Sequence, residues 1–212
     1  MKTGFFATIT LSALAALSIL AFAPKASAYF STIDNGELTE PGKYQVSVEP
    51  QLLLSRYDGL EATGRLDTGI NESSSVRGIL GFGTVDFQVG GFYKFIPFPD
   101  TATQPAIGGE AGLIIARVKG NTEVSVRLHP LVSKKFETEI GDVIPYASLP
   151  FGITNRTDGT VVPFQLVGGA ELRALNTPQI SYFAELGINL NQAFSYISVA
   201  VAYRFDEAAI HH

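Results

Sequence analysis

The stretch Ile197-Ser198-Val199-Ala200-Val201-Ala202-Tyr203-Arg204-Phe205 decides the fold of this chain. Every second residue of the stretch, from Ile197 to Phe205, is large and apolar, and the residues between them are small or polar. Because side chains alternate between the two faces of a strand, this period of two predicts a β-strand. One face of that strand requires an apolar environment, and the other requires a polar and tightly filled one.

The opposite end of the sequence carries an export signal. Lys2 provides a positive start, residues 5–22 form an apolar run, and Ala26-Ser27-Ala28 is a small-residue cleavage pattern. Together these features predict a signal peptide over residues 1–28 that is removed before Tyr29. An uncleaved membrane anchor is the alternative, and the cleavage pattern and the absence of a basic flank oppose it.

Composition narrows the function classes. The formal net charge is −5, and removal of Lys2 and Lys25 with the signal makes it −7, which opposes binding to nucleic acid. The absence of cysteine excludes disulfides and a lipid-modified N-terminal cysteine. The content of 21 Gly, 15 Phe and 8 Tyr suits strands and turns. No apolar run after the signal is long enough for a membrane helix.

The alternating pattern recurs throughout the rest of the chain. A polar N-terminal lead-in over residues 29–42 precedes strand-like segments over residues 43–205, and turn residues such as those at 71–75 and 158–159 separate them. We count about ten strands in one domain, or eight if neighbouring segments merge across bulges, and a tail over residues 206–212. The predicted fold is therefore all-β, an up-and-down antiparallel barrel of eight to ten strands.

The alternation does not by itself say which face is inside. The polar face carries both signs of charge, which could pair in a narrow lumen; this predicted network comprises Glu61, Arg65, Asp67, Arg77, Asp86, Lys94, Glu123, Arg127, His129, Glu171, Arg173, Glu185 and Arg204. The apolar face carries aromatic residues towards strand ends, as an interfacial girdle does; these are Tyr44, Tyr93, Phe95, Phe164, Tyr182, Tyr203 and Phe205. Both features favour a transmembrane barrel over a soluble barrel with an aromatic core.

With these features, residues 43–205 resemble the small outer-membrane β-barrel proteins of Gram-negative bacteria, the OmpX-like and OmpA-transmembrane-like group. Ala202-Tyr203-Arg204-Phe205 looks like the C-terminal aromatic signal that the barrel-insertion machinery reads in that group. The resemblance implies location in the bacterial outer membrane, with its lipid and that machinery as partners. Residues 206–212 follow the signal, which is a departure from the pattern, and the group shares an architecture rather than a functional site.

No motif in the sequence supports catalysis, a metal site or a cofactor. His129 and Ser125 share a face, but four residues along a strand separate them by roughly 13 Å, whereas a nucleophile and its base must lie within about 3 Å of each other. A partner for His129 on a neighbouring strand stays open at this point. We therefore expect that the chain is not an enzyme.

A small-residue face at Gly168, Ala170 and Ala174 is a candidate contact between barrels in a homo-oligomer, with plain strand packing or barrel curvature as the alternative. Because a small barrel is filled by its own side chains, we expect a structural or envelope-interaction role. A narrow channel for small solutes or ions is one alternative, and a periplasmic ligand-binding barrel is another.

Overall fold

The computed structural model describes residues 31–54 and 59–206, and neither range contains a helix that could cross a membrane. The predicted signal peptide, residues 29–30 of the predicted lead-in, residues 55–58 and residues 207–212 lie outside the described residues. The described strands are β1 (Lys43–Leu53), β2 (Gly59–Asn71), β3 (Ser74–Gly83), β4 (Phe87–Phe98), β5 (Ala106–Val118), β6 (Asn121–Ser133), β7 (Phe136–Thr138), β8 (Gly141–Ser148), β9 (Phe151–Arg156), β10 (Gly159–Val161), β11 (Phe164–Ala174), β12 (Ile180–Asn191) and β13 (Tyr196–Asp206).

These strands form one closed antiparallel barrel. Consecutive strands pair from β1 to β6 and from β11 to β13, and β8 and β9 together fill the position between β6 and β11. β13 returns to pair with β1, with Val46 opposite Tyr203. Closure leaves no free edge between the first and last strands, so both carry paired backbone groups. The last strand extends one residue beyond the prediction, because Asp206 still pairs with Lys43.

Ten positions make up the ring, because three short strands continue longer ones in the same register. On β6, Leu131 pairs with Ser148 of β8 and Leu128 pairs with Phe151 of β9, so the register passes unbroken across Leu149–Pro150. Proline lacks the backbone N–H that a ladder needs, which accounts for the interruption. In the same way β7 continues β6, and β10 continues β11. The sequence prediction of about ten alternating segments is confirmed.

The two faces of the wall differ in polarity as the alternation predicts. On β13 the side chains of Ile197, Val199, Val201 and Tyr203 are exposed, whereas those of Ser198 and Ala202 are buried. The same pattern recurs on every long strand, so the outer face is apolar and the charged residues lie inside.

Residues 31–40, which we call the inner segment, run through the barrel lumen. Residues 31–35 are buried, and the segment leaves the barrel at the end where β1 begins and β13 ends, which we call the entry end. A tight turn then reverses the chain into β1: Lys43 N donates to the carbonyl of Glu40 at 3.0 Å, and Gly42 adopts a φ of +78° that glycine tolerates without strain. The sequence predicted residues 29–42 only as a lead-in of unassigned position.

The opposite end, which we call the far end, is closed by apolar side chains. Leu53, Val85, Phe194 and Tyr196 are buried there as part of one hydrophobic cluster. The connection between β12 and β13 turns inward to bring Phe194 into the lumen, and Gln165 Nε2 donates to its carbonyl at 2.5 Å.

Candidate functional site: the plugged and charged lumen

The lumen gathers most of the charged residues that the alternation assigned to the polar face. Arg173 and Arg204 are half-buried at the entry end, and the remaining lumen members are buried; they are Glu61, Arg65, Asp67, Arg77, Lys94, Glu123, Arg127, His129, Glu171 and Glu185. A charge removed from water is tolerated when it is paired and hydrogen-bonded. The contacts of these side chains therefore determine what the lumen can do.

Asp86 is the exception, since the structure places it outside the lumen. It lies exposed in the turn between β3 and β4, where its carboxylate accepts a hydrogen bond from Gly120 N at 2.9 Å. The sequence prediction assumed that inward- and outward-facing residues alternate at Asp86 as they do along a strand. The chain turns at residues 84–86, so that alternation does not hold there. The neighbouring Val85 points inward and is buried.

Glu185 fixes the inner segment at mid-lumen. Its carboxylate accepts hydrogen bonds from Thr32 N (2.8 Å), Thr32 Oγ1 (2.8 Å) and Ile33 N (2.7 Å). The hydroxyls of Tyr146 (2.8 Å) and Tyr196 (2.6 Å) donate to it from two other strands. Five donors on one carboxylate join three elements of the barrel to the segment, and hydrogen bonds to a charged group are the stronger kind.

Asp34 binds the inner segment to two cations of the barrel wall. Its Oδ1 accepts from Lys94 Nζ at 2.7 Å and from Arg77 Nη2 at 3.2 Å. Lys94 donates a second hydrogen bond to the carbonyl of Glu37 at 2.7 Å, and Arg77 Nη1 donates to the carbonyl of Thr32 at 3.0 Å. Both hydrogen bonds that Lys94 makes therefore go to the inner segment.

A second cluster holds the segment where it leaves the barrel. Arg173 Nη1 donates to Glu37 Oε2 at 3.0 Å, and its other nitrogens bind both oxygens of Glu171 at 2.7 and 3.0 Å. Arg204 Nη2 reaches Glu171 at 2.5 Å, and Asn35 Nδ2 donates to the same carboxylate. Arg173 and Glu171 come from β11 and Arg204 from β13, so the cluster ties two strands to the segment.

Ser31, at the start of the inner segment, contacts a buried ion pair between Arg65 and Glu49. Arg65 Nη2 donates to Ser31 Oγ at 2.8 Å and to the carbonyl of Ser31 at 3.1 Å. The Nη1 of the same guanidinium pairs with Glu49. Arg65 thus connects β1 and β2 to the first described residue of the inner segment.

His129 has the neighbouring-strand partner that the sequence left open. His129 Nδ1 lies 2.7 Å from Oε1 of Glu110, which is directly opposite it on β5. Ser125 is bound instead to Thr154, with the two hydroxyl oxygens 2.8 Å apart. The ring of His129 is buried against Phe92, with centroids 5.2 Å apart.

Sequence reasoning missed several members of the lumen network. Glu49 alternates with the outward-facing Val46 and Val48, so the period of β1 would have found it, whereas β5 alternates less regularly and Glu110 had no such signal. Asp34 and Glu37 could not be found in this way, because the inner segment shows no alternation.

The predicted aromatic girdle lies on the outer face and mostly at the entry end. Tyr44, Tyr203 and Phe205 lie at the end of β1 and β13, where the rings of Tyr44 and Phe205 stack at 5.6 Å. Tyr182 lies near the start of β12, and Tyr93 and Phe95 near the end of β4. Phe164 lies apart from these, at the start of β11 towards the far end.

The small-residue face on β11 is open at its centre. Gly168 is exposed, and a Cβ added there would meet nothing within 4 Å. Ala170 and Ala174 are half-buried on the same strand.

Two cavities lie at or near the entry end. A cavity of about 380 Å³ is open to solvent there and is lined by Glu37, Arg173 and Arg204 among others. A second cavity of about 30 Å³ lies deeper, beside Asp34, Arg77 and Lys94, and Arg173 borders both. Among the described residues no group of three or more His, Cys, Asp or Glu could hold a metal ion.

Comparisons with known proteins find likeness in structure. No protein-family model and no curated protein matches the sequence. The translocator domain of the autotransporter NalP from Neisseria meningitidis is similar over 96% of this chain and 97% of its own, with 14% identity and a TM-score of 0.46. The beta domain of the Bordetella autotransporter BrkA matches 78% of this chain and 98% of its own, with 13% identity and a TM-score of 0.44. A de novo designed transmembrane β-barrel matches 80% of this chain and all of its own, with 14% identity and a TM-score of 0.40.

Proposed function

We propose that this chain is an integral barrel of the bacterial outer membrane, with a structural or envelope-interaction role and a lumen sealed by its own inner segment. The observation that carries the proposal is the inversion of polarity across the wall. Large apolar side chains cover the outer face, and paired charges fill the interior. A transmembrane barrel requires this arrangement, and a soluble one requires the reverse.

The periplasmic ligand-binding alternative has less support. A soluble monomer rarely exposes contiguous apolar patches larger than a few hundred Å², whereas here the exposed apolar face runs along every long strand. Inside the lumen, the cavity beside Asp34 has about 30 Å³, enough for roughly one water molecule, and the cavity of about 380 Å³ lies open to solvent at the entry end.

A narrow channel is the second candidate function, and the inner segment would have to move before it could conduct. The segment is held by hydrogen bonds and ion pairs within the lumen, and Phe194 closes the far end. Conduction would require both to move, so we expect the resting barrel to be electrically silent.

The partners we propose are outer-membrane lipid, against the apolar face, and the barrel-insertion machinery, which would read the end of β13. Self-association through the Gly168 face is a further proposal. We propose no enzymatic activity, because His129 is buried against Phe92 and bound to Glu110, and Ser125 is bound to Thr154.

Fractionation followed by gel electrophoresis with and without boiling tests the proposal. We expect the protein in the outer-membrane fraction, with faster migration before boiling, because closed barrels keep their structure in detergent until heated. Purified protein in planar bilayers should give no steady conductance. Recovery in the soluble periplasmic fraction without a mobility shift would refute the membrane assignment, and steady channels from the wild-type chain would refute the seal.

A further inference from the structure

The inner segment brings only negative charge into the lumen. Residues 31–40 contain three acidic residues and no basic one, and two of them, Asp34 and Glu37, meet cations of the wall. Those cations are Arg77, Lys94 and Arg173, which we call the cation cluster. If the segment moved away, the lumen would lose two carboxylates and no cation. Arg77 would keep Asp67 at 2.6 Å and Arg173 would keep Glu171 at 2.7 Å, whereas Lys94 would lose both of its partners.

Asp34 binds the cluster with only one of its two carboxylate oxygens. Asp34 receives both Lys94 and Arg77 on Oδ1, and its buried Oδ2 has no hydrogen-bond partner among the described residues. A free anion with several oxygens could bind the same donors with more of its acceptors engaged, and guanidinium groups bind carboxylate and phosphate oxygens in pairs.

Two cavities that share Arg173 and Glu37 lie between the entry end and the cluster. The cavity of about 380 Å³ is lined by Arg173 together with Glu37, the residue that Arg173 holds there. The smaller cavity beyond it is lined by Arg77 and Lys94. An anion entering at the mouth would therefore meet Glu37 first and Asp34 next.

We infer that the cation cluster is a binding site for multivalent anionic solutes, and that Asp34 and Glu37 occupy it in the resting state as a tethered competitor. Binding of an oxyanion such as a polycarboxylate displaces the two side chains and releases the inner segment towards the entry end. The inference rests on the sealed lumen of the proposed function and adds the class of ligand that acts on the seal.

Competition by Asp34 and Glu37 predicts how strongly the cation cluster binds an added anion. A ligand that must displace a tethered competitor binds more weakly by the fraction of time that the site is vacant. Neutralising the competitor in Asp34→Asn/Glu37→Gln should therefore raise the affinity for citrate, the probe, on the order of tenfold, whereas Lys94→Gln or Arg173→Gln should lower it. Calorimetric titration of the purified full-length protein in detergent measures both changes.

A matched variant separates the cluster from general charge effects. Lys134 lies at the same end of the barrel but binds Asp100 outside the lumen, so Lys134→Gln should leave citrate affinity unchanged. The gel mobility shift identifies any variant that fails to assemble. If Lys94→Gln does not fold, Arg173→Gln still carries the test.

Release of the segment is measured separately with a reporter. Because the chain contains no cysteine, Ile33→Cys introduces a single thiol at a buried position of the inner segment. Citrate should accelerate its reaction with a soluble maleimide well beyond sodium chloride of equal ionic strength, and this increment should disappear with Lys94→Gln.

Two results would overturn the inference. One is equal acceleration by citrate and by chloride, which would indicate charge screening alone. The other is an unchanged or lower citrate affinity in Asp34→Asn/Glu37→Gln, which would show that these side chains do not compete. The titrations need no membrane, so failure here is distinct from failure of the outer-membrane assignment, which fractionation tests.

Discussion

At the scale of single residues, Glu185 shows how a buried carboxylate can organise a lumen. It is 3% exposed, and it accepts hydrogen bonds from the inner segment and from two tyrosines. Such a group is stable inside a barrel because its acceptor capacity is used, and removal of its charge leaves donors without a full partner.

Glu185→Gln should therefore loosen the inner segment and destabilise the barrel. The amide keeps the shape of the side chain, but its nitrogen cannot accept, so we expect a loss of about 1–3 kcal/mol in the free energy of unfolding. Urea unfolding in detergent measures the loss, and limited proteolysis near residues 31–40 reports whether the segment is released. Glu137→Gln is the control, because Glu137 is exposed at the end of the barrel wall. Equal stability of the two variants would contradict the role given to Glu185.

At the scale of elements, the strands and the inner segment differ in how far the sequence predicts them. A strand with one apolar and one polar face has a sequence that alternates with a period of two. Ten alternating segments therefore predicted ten barrel positions. The inner segment has no period because its surroundings are irregular. Thr32 contacts Glu185, which lies 153 positions further along the chain. Contacts of this kind leave no local pattern, and so most of the charges on the wall were predictable whereas their partners Asp34 and Glu37 were not.

A disulfide can test whether the inner segment lies against β6. Gly36 N donates to Ser133 Oγ at 2.8 Å, and a Cβ added at Gly36 would lie 2.7 Å from that oxygen. The same Cβ would overlap the side chain of Ala106, so the design is Gly36→Cys/Ala106→Gly/Ser133→Cys. We expect the bond to form under mild oxidation and to raise the temperature of the gel mobility shift, since closing a long loop typically adds about 2–4 kcal/mol.

The same chain without Ser133→Cys serves as the control for this crosslink, because it keeps the glycine and alanine changes but lacks the second thiol. Its mobility shift should not respond to oxidant. A triple variant that folds yet shows no crosslink would place the inner segment elsewhere.

At the scale of the whole molecule, substitutions at two neighbouring glycines on β11 test folding and self-association separately. Gly168 faces outward into open space, whereas a Cβ at Gly169 would lie 2.5 Å from the ring of Tyr146 inside the lumen. We expect Gly168→Leu to leave the gel mobility shift intact and, if barrels associate through this face, to reduce the assembly size in detergent. Gly169→Leu should impair folding itself, because overpacking forces the surroundings to move. Unchanged assembly size with Gly168→Leu, measured by light scattering, would exclude this face as the contact.

At the scale of the whole barrel surface, a single charge added to the outer face distinguishes a membrane protein from a soluble one. Val199 is 52% exposed near the middle of the outer face of β13. In water Val199→Lys would be nearly neutral, whereas a lysine at the middle of a bilayer costs about 2–4 kcal/mol in a transmembrane barrel. We therefore expect Val199→Lys to reduce stability in lipid vesicles by that amount, measured as the shift in urea midpoint. Thr103→Lys, in the exposed connection between β4 and β5, should show no shift. Because the two variants add the same charge to the same barrel, equal midpoints would mean that Val199 does not meet lipid, and the apolar face would need another partner.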